Sequence, residues 1–208
     1  MTNKAVDVFD RWAQNGKDEG MKRNHFNSYQ YIKSIIHNQY HLSENLKLAD
    51  VGCGNGWASG DLLEENYIKE VCGYDGASNM IKKAKKTIQG PSFFNVDLNS
   101  WDPGQKFDII YSMEVIYYLD NPFQFIENCY KKWLNPSGLF IAGIDHYQEN
   151  ESSLSWAEDL KVNMKTKTIS EWKEALIKNQ FIDTGAMQVN QKEGWSGTLI
   201  FWGKKNAL

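Results

Sequence analysis

The feature that most restricts the fold is the stretch 46–57, where a short apolar run leads into a turn with glycines at alternate positions, Gly52, Gly54 and Gly56. Such a turn is too rich in glycine for a regular helix or strand. Glycine permits positive φ and lets a ligand approach the backbone without a Cβ in the way. A helical pattern starts at residue 57, and a helix N-terminus offers unpaired N–H groups and a positive dipole end. The stretch therefore predicts a strand, a ligand-binding turn and a helix in succession.

Short apolar runs alternate with helical patterns along the rest of the chain, which indicates an α/β protein with a mainly parallel sheet. The predicted strands are residues 46–51, 70–74, 92–96, 107–112 and 139–144, followed by a terminal hairpin over 187–202. Helices are predicted at 6–13, 26–40, 57–66, 77–88, 121–133 and 168–177. Asn121-Pro122 and Thr168-x-x-Glu171 are typical helix starts. The polar stretch 149–156 is either a surface loop or a substrate lid.

The composition supports one globular domain over residues 1–208. We divide it into an N-terminal helical cap (1–45), a ligand-binding core (46–145) and an acceptor-side segment with the last helix and hairpin (146–208). Its 208 residues are 41% hydrophobic, with a formal net charge of −3. No apolar run is long enough to span a bilayer and the first residues lack a hydrophobic signal, so we expect a cytoplasmic protein without a membrane partner.

Charge and cysteine content exclude other classes. A pI near 5.8 argues against non-specific binding of nucleic acid, which needs a net basic face. The cysteines, Cys53, Cys72 and Cys129, are odd in number and lack C-x-x-C spacing. They indicate neither a disulfide framework nor a zinc site, and we predict no metal.

The ligand expected at the glycine turn is an adenosine derivative. Asp75 ends the second predicted strand, where a carboxylate can accept hydrogen bonds from ribose hydroxyls. The third glycine stands one position earlier than in the dinucleotide pattern G-x-G-x-x-G, and Asp50 precedes the turn by two residues. An acid so close would repel a phosphate, but it tolerates the ammonium and sulfonium of S-adenosylmethionine (SAM).

Five segments in order resemble the class I SAM-dependent methyltransferases of the small-molecule, single-domain type. They are the glycine turn 50–56, Gly73-Tyr74-Asp75, the stretch 95–98, the fourth-strand segment 107–115 and the turn 134–139. The resemblance implies a Rossmann-like, doubly wound, seven-stranded sheet, mainly parallel, with a C-terminal antiparallel hairpin. It also implies that the cofactor is SAM and the product S-adenosylhomocysteine (SAH).

The resemblance and the strand ends together assign candidate cofactor residues. They are Asp50, Gly52, Cys53, Gly54, Gly56, Trp57, Asp75, Gly76, Asp97, Leu98, Ser112 and Glu114. Asp75 is expected on the ribose and Asp97 near the adenine amino group.

The acceptor side is expected after the fourth and fifth strands and in the cap. His146 is the candidate general base, because an imidazole titrates near neutral pH. Tyr117 and Glu114 are further catalytic candidates at the methyl-donor end. Candidate acceptor-binding residues are Trp12, Met21, His25, Tyr117, Asp145 and Tyr147.

The predicted function is SAM-dependent methyl transfer to a small molecule by in-line displacement, driven mainly by positioning of the reactants. Two alternatives stay open at this stage. One is a nicotinamide-dependent oxidoreductase, which would share the fold and Asp75. The other is a non-catalytic SAM-binding partner subunit. The chemistry of the acceptor and the oligomeric state are not determined by these patterns, because fold does not identify substrate.

Overall fold

The computed structural model describes residues 4–207, and every element below lies in that range. The helices are α1 (Ala5–Gln14), α2 (Glu19–Tyr40), α3 (Trp57–Leu63), α4 (Ser78–Thr87), α5 (Pro122–Asn128), α6 (Trp156–Leu160) and α7 (Ile169–Lys178). The strands are β1 (Leu46–Val51), β2 (Ile68–Asp75), β3 (Ser92–Asn95), β4 (Phe107–Met113), β5 (Leu134–Ile144), β6 (Ile182–Val189) and β7 (Thr198–Lys204).

The seven strands form one sheet in the order β3-β2-β1-β4-β5-β7-β6. Strands β1 to β5 pair in parallel, whereas β7 pairs antiparallel with both β5 and β6. The predicted fold class, a mainly parallel doubly wound sheet with a C-terminal hairpin, is confirmed. The strand order reverses between β1 and β4, and ligands of open α/β sheets bind beyond the C-terminal ends of the strands at such a point.

Apolar cores lie on both faces of the sheet. On one face, Ile32 and Ile36 of α2 pack with Leu48 of β1. On the other, Trp133 and Trp172 belong to the same core cluster as the central strands. Full burial of one isoleucine contributes about 1.5–3 kcal/mol, so α2 is held on the sheet through its apolar stripe. The cap is thus packed against the strands that carry the glycine turn.

The first helix is fixed over the ligand-binding edge by a polar contact. Asp10 of α1 accepts the backbone N–H of Asn79 at 2.7 Å at the start of α4. The helix dipole favours a carboxylate at that position. Gly76 allows α1 to lie this close to the end of β2, because a Cβ on residue 76 would lie 2.5 Å from Val6 Cγ1.

The sequence placed most elements correctly and missed several boundaries. Asn121 and Thr168 cap α5 and α7 as predicted, the latter through a full capping box with Glu171. Helix α2 begins at Glu19 rather than at residue 26, because Gly20 is tolerated inside it. Residues 129–133 form a π-helical turn rather than a continuation of α5. Residues 151–160, expected to be irregular, contain a 3₁₀ turn and α6.

Among residues 4–207, no helix has the length and apolar content needed to cross a membrane.

Candidate active site

The glycine turn after β1 is built for close approach to a ligand. Gly52 and Gly54 have φ of +82° and +52°, where side chains are strained. A Cβ on Gly52 would lie 2.0 Å from Val115 Cγ2, so the turn also packs against the segment after β4. Asp75 holds the turn by accepting the N–H of Gly54 at 2.9 Å through Oδ2, and its Oδ1 accepts the N–H of Ala77 at 2.7 Å.

Asp50 lies behind this turn as a buried acid. Its Oδ2 accepts a hydrogen bond of 2.6 Å from Ser59 Oγ in α3. Burial raises the pKa of Asp50 to about 7, although the hydrogen bond from Ser59 opposes the change. Asp50, Cys53 and Trp57 line a small side pocket next to the main cavity. A cationic group in that pocket would compensate the buried carboxylate.

The main cavity has a volume of about 900 Å³ and opens beyond the strand ends, next to the glycine turn. Ligand pockets usually measure about 300–1,000 Å³, so there is room for two small molecules side by side. Of the predicted site residues, those on the cavity wall are Trp12, Met21, His25, Gly52, Gly54, Asp75, Glu114, Tyr117 and Asp145.

Glu114 is the most unusual residue of the cavity. Its φ is +59°, a conformation that is costly for a non-glycine residue and concentrated at functional sites. Tyr117 donates a hydrogen bond of 2.8 Å to Glu114 Oε2, and Oε1 is buried without a partner among the described residues. Burial and the charge of Asp145 raise the pKa of Glu114 well above its usual range, against the hydrogen bonds from Tyr117 and from the Asp145 backbone.

His25 of the cap faces Asp145 at the end of β5. The distance from His25 Nδ1 to Asp145 Oδ2 is 3.6 Å. Asp145 Oδ1 accepts a 2.6 Å hydrogen bond from Thr198, whose Oγ1 lies 2.6 Å from Ser28 Oγ. Burial lowers the pKa of His25, and Asp145 partly opposes this. Burial raises the pKa of Asp145, against the effects of Thr198 and His25. The cap and the sheet thus contribute one member each to an acid–imidazole pair.

The structure does not support His146 as the general base. The side chain is completely buried and is not part of the cavity wall. Its Nδ1 lies 3.0 Å from Ser153 O and its Nε2 lies 2.8 Å from Thr166 Oγ1, so both ring nitrogens are occupied. The structure also does not support the prediction that Tyr147 binds the acceptor. It is fully buried and its hydroxyl donates to the carbonyl oxygens of Ser196 and Gly197.

Other predicted cofactor residues lie outside the cavity wall. Asp97 is exposed at the end of β3, where its Oδ1 accepts the N–H of Asn99 at 3.0 Å. Ser112 is buried and donates to Val51 O, so it joins β4 to β1. The remaining members of this group, which form no part of either pocket, are Gly56, Gly76 and Leu98. Gly56 instead permits packing, because a Cβ there would lie 2.6 Å from Phe93 Cζ.

An aromatic belt that the sequence did not reveal encloses the cavity. It consists of Phe9, Trp12, Tyr117, Tyr118, Trp156 and Trp195. Phe9 contacts the rings of Trp12 and Tyr118, and Tyr118 contacts Tyr117. Trp156 stacks on Trp195, with ring centroids 5.9 Å apart. The ring of His146 lies between those of Tyr117 and Trp156, with centroid distances of 5.4 and 6.5 Å, and so links the two parts of the belt. Trp12 and Tyr117 are predicted site residues. The other members are up to 186 positions apart (195 − 9) and share no local motif, so only a signal of spatial contact could have found them.

Comparisons with known proteins show which proteins this chain is similar to. Residues 49–140 match the family model described as a methyltransferase domain. The chain is 28% identical over 120 residues to a trans-aconitate 2-methyltransferase of Rhizobium leguminosarum. The alignment covers 58% of this chain and 46% of that protein. It is 33% identical over 137 residues to a mitochondrial ubiquinone biosynthesis O-methyltransferase of Dictyostelium discoideum. That alignment covers 55% of this chain and 40% of that protein. The chain therefore spans less than half the length of these curated relatives.

Solved structures share the fold over a larger part of the chain. One chain of the Haloferax volcanii complex between the Trm112 methyltransferase activator and a methyltransferase aligns with a TM-score of 0.80 at 22% identity, covering 99% of this chain and 100% of that one. A SAM-dependent methyltransferase of Mesorhizobium loti aligns with a TM-score of 0.66 at 18% identity, covering 78% and 92%. Residues 49–140 are therefore similar to a methyltransferase domain, and the chain shares the fold of these solved structures.

Proposed function

We propose that this chain transfers the methyl group of SAM to a small-molecule acceptor. The observation that carries the proposal is one continuous cavity. It starts at Gly54 and Asp75 beside the glycine turn and continues past Glu114 to Asp145 and Trp195. A cofactor at the first end and an acceptor at the second would therefore share one space.

The residues at the first end fit an adenosyl ligand. Gly52 and Gly54 present backbone without side chains to the cavity, and Asp75 offers carboxylate oxygens to a ribose diol. We assign the buried Asp50 to the cationic amino-acid end of SAM, because it lines the adjoining side pocket and has no cationic partner there. Asp97 keeps its proposed place near adenine only if the ligand extends beyond the cavity wall, so it is the weakest member of the set.

SAM, when bound, supplies a methyl group on a sulfonium, which is already a good leaving group. The task of the chain is then to align the acceptor and exclude water, and alignment can contribute up to about 7–11 kcal/mol. Glu114 is held rigidly for this by its strained backbone and by Tyr117. His25, paired with Asp145, replaces His146 as the group available to accept a proton from the acceptor.

The two alternative functions receive less support. A nicotinamide oxidoreductase would need the turn G-x-G-x-x-G. In this chain the third glycine, Gly56, stands one position earlier in the sequence, and it packs against Phe93. A non-catalytic SAM-binding subunit would not need a second, acid-lined half of the cavity. Over its whole length, the chain resembles one chain of a complex that contains a methyltransferase activator. Binding of a protein partner is a separate question from catalysis.

The test is calorimetric titration of the purified protein with SAM, SAH and NADH, repeated with Asp75→Ala. We expect micromolar affinity for both adenosyl ligands, loss of that affinity in the variant and no binding of NADH. Transfer of labelled methyl from SAM to a panel of small acceptors then measures catalysis. Absence of adenosyl binding would refute the proposal, and binding without transfer to any acceptor would favour the non-catalytic alternative.

A further inference from the structure

The acceptor half of the cavity contains a cluster of three hydrogen-bond acceptors, two of which, His25 and Glu114, also line the side pocket next to Asp50. One ligand atom each of His25, Glu114 and Asp145 lies within 4.8 Å of the other two. Glu114 Oε1 is buried and makes no hydrogen bond of normal geometry among the described residues, although the backbone N–H of Asp145 lies close enough to lower the pKa of Glu114. Asp145 Oδ2 lies 3.6 Å from His25 Nδ1. The three side chains therefore line one cavity and lie close enough together to contact the same bound group.

The cluster is held in place by contacts from every side. Tyr117 and the backbone conformation fix Glu114. Thr198 anchors Asp145, and Ser28 continues the chain of hydrogen bonds by accepting from Asn190 Nδ2 at 2.9 Å. Such pre-organisation is typical of groups that must recognise a ligand rather than adapt to solvent.

The charge of the cluster favours a cationic ligand. Burial raises the pKa of Glu114, and the charge of Asp145 adds to the rise. Burial also raises the pKa of Asp145, and Thr198 and His25 only partly oppose that rise. A bound cation would supply a positive partner and allow both carboxylates to ionise. An anionic acceptor would be repelled at the same place. The positive side chains of the cavity wall, Lys17 and Lys192, are exposed, so solvent and salt screen them.

The spacing and the walls of the site favour an ammonium group. An ammonium nitrogen that makes hydrogen bonds of about 2.8 Å at tetrahedral angles has acceptors about 4.6 Å apart. The ligand atoms of the cluster all lie within 4.8 Å of one another, and the pair His25 Nδ1–Asp145 Oδ2, at 3.6 Å, would have to separate by about 1 Å. The aromatic belt offers ring faces, which attract organic cations. Tyr117 and Tyr118 are in contact next to Glu114, with ring centroids 4.4 Å apart.

We propose that the methyl acceptor is a primary or secondary amine, bound as an ammonium by Glu114, Asp145 and His25 with its apolar part against the aromatic belt. The inference rests on the proposed function. The ammonium gives one proton to the imidazole of His25, and Asp145 stabilises the imidazolium. The freed nitrogen lone pair forms the bond to the methyl carbon while the carbon–sulfur bond breaks and its electron pair stays on sulfur. The products are SAH and the methylated ammonium, and the proton on His25 returns to solvent.

The test compares matched probes on the protein saturated with SAH. Calorimetry measures the Kd of 2-phenylethylamine, 2-phenylethanol and phenylacetate, which share a phenyl group on a short chain and differ in charge. We expect the amine to bind at least tenfold more tightly than the other two. Tighter binding of the alcohol or the carboxylate, equal binding of all three, or no binding of the amine up to 10 mM would each overturn the inference.

Conservative variants localise the effect. Asp145→Asn should weaken binding of the amine at least tenfold, while the Kd values of SAH and of the alcohol change less than threefold. Glu114→Gln should also weaken binding of the amine at least tenfold. Asp159→Asn is the matched control, because Asp159 is an exposed carboxylate on the rim of the same cavity. It should change the amine Kd less than twofold. A loss of SAH affinity in Asp145→Asn would assign the cluster to the cofactor and overturn the inference.

A metal ion is the competing ligand of the same three residue types. Titration with MnCl₂, followed by electron paramagnetic resonance, tests it directly. Micromolar binding of Mn²⁺ that His25→Ala and Glu114→Gln abolish would overturn the amine assignment. Failure of the proposed function is distinguishable, since the wild-type protein would then not bind SAH at all.

Discussion

Asp75 Oδ2 accepts the backbone N–H of Gly54 at 2.9 Å, and this bond joins the end of β2 to the glycine turn after β1. The same carboxylate also accepts the N–H of Ala77 just before α4. Both contacts oppose the rise in the pKa of Asp75 that burial causes. One side chain therefore shapes the ligand-binding edge and remains part of the cavity wall.

The first prediction concerns Asp75→Asn, which keeps the size of the side chain and removes its charge. A hydrogen bond to a charged group contributes about 1.5–3 kcal/mol, so we expect the Kd for SAH to rise about 10- to 150-fold. Calorimetry measures the change, and circular dichroism checks that the fold persists. Unchanged affinity in a folded variant would remove Asp75 from the ribose site.

The second prediction uses two glycines with similar backbones. Gly54 and Gly104 have φ of +52° and +65°, so alanine is strained at both, by roughly 1 kcal/mol. A Cβ on Gly54 would lie 3.1 Å from Met21 Cε inside the cavity, whereas a Cβ on Gly104 meets nothing within 4 Å. We expect Gly54→Ala to raise the Kd for SAH at least tenfold and Gly104→Ala to leave it unchanged. Equal effects of the two variants would show that strain alone is responsible.

The third prediction is a pH dependence of stability at Asp50. Its pKa rises from 3.8 to about 7 on folding, so the folded state holds the proton more tightly. The resulting stabilisation is complete below about pH 4 and is lost as the pH rises through about 7. Asp50→Asn cannot lose a proton, and we expect it to gain about 2–4 kcal/mol relative to the wild type between pH 5 and pH 8.

Urea denaturation at the two pH values measures this difference. The matched control is Asp120→Asn, which removes a carboxylate from an exposed position. A constant difference between Asp50→Asn and the wild type across the pH range would contradict the prediction. We also expect Asp50→Asn to weaken SAM binding, since it removes the acid assigned to the cationic end of the ligand.

The fourth prediction separates His146 from His25. His146→Phe would leave Ser153 O and Thr166 Oγ1 without their partner, so we expect a loss of about 1–3 kcal/mol in the free energy of unfolding. The Kd for SAH and the pH profile of methyl transfer should stay unchanged. His25→Gln should alter the pH profile with little loss of stability, because His25 is partly exposed on the cavity wall. The reverse pattern would restore His146 as the base.

The sequence by itself determined the sheet, the glycine turn and the position of Asp75. These depend on local signals, namely apolar runs, glycines at fixed spacing and helix caps such as Thr168 with Glu171. The strand order then brings the C-terminal ends of β1, β2 and β4 to one edge. Of the predicted cofactor residues in these short motifs, Gly52, Gly54 and Asp75 line the cavity. The predicted residues outside both pockets are Gly56, Gly76, Asp97, Leu98 and Ser112.

Only the tertiary structure decided the acceptor side. His25 and Asp145 are 120 positions apart (145 − 25), and they meet because α2 packs on the same sheet edge where β5 ends. His146 and Tyr147 follow the same strand but turn into the interior, where neighbouring polar groups occupy them. The pleat and the local turn decide which of consecutive side chains faces a cavity, and long-range packing sets both. The chemistry of the acceptor pocket is therefore a property of contacts between segments, not of any one segment.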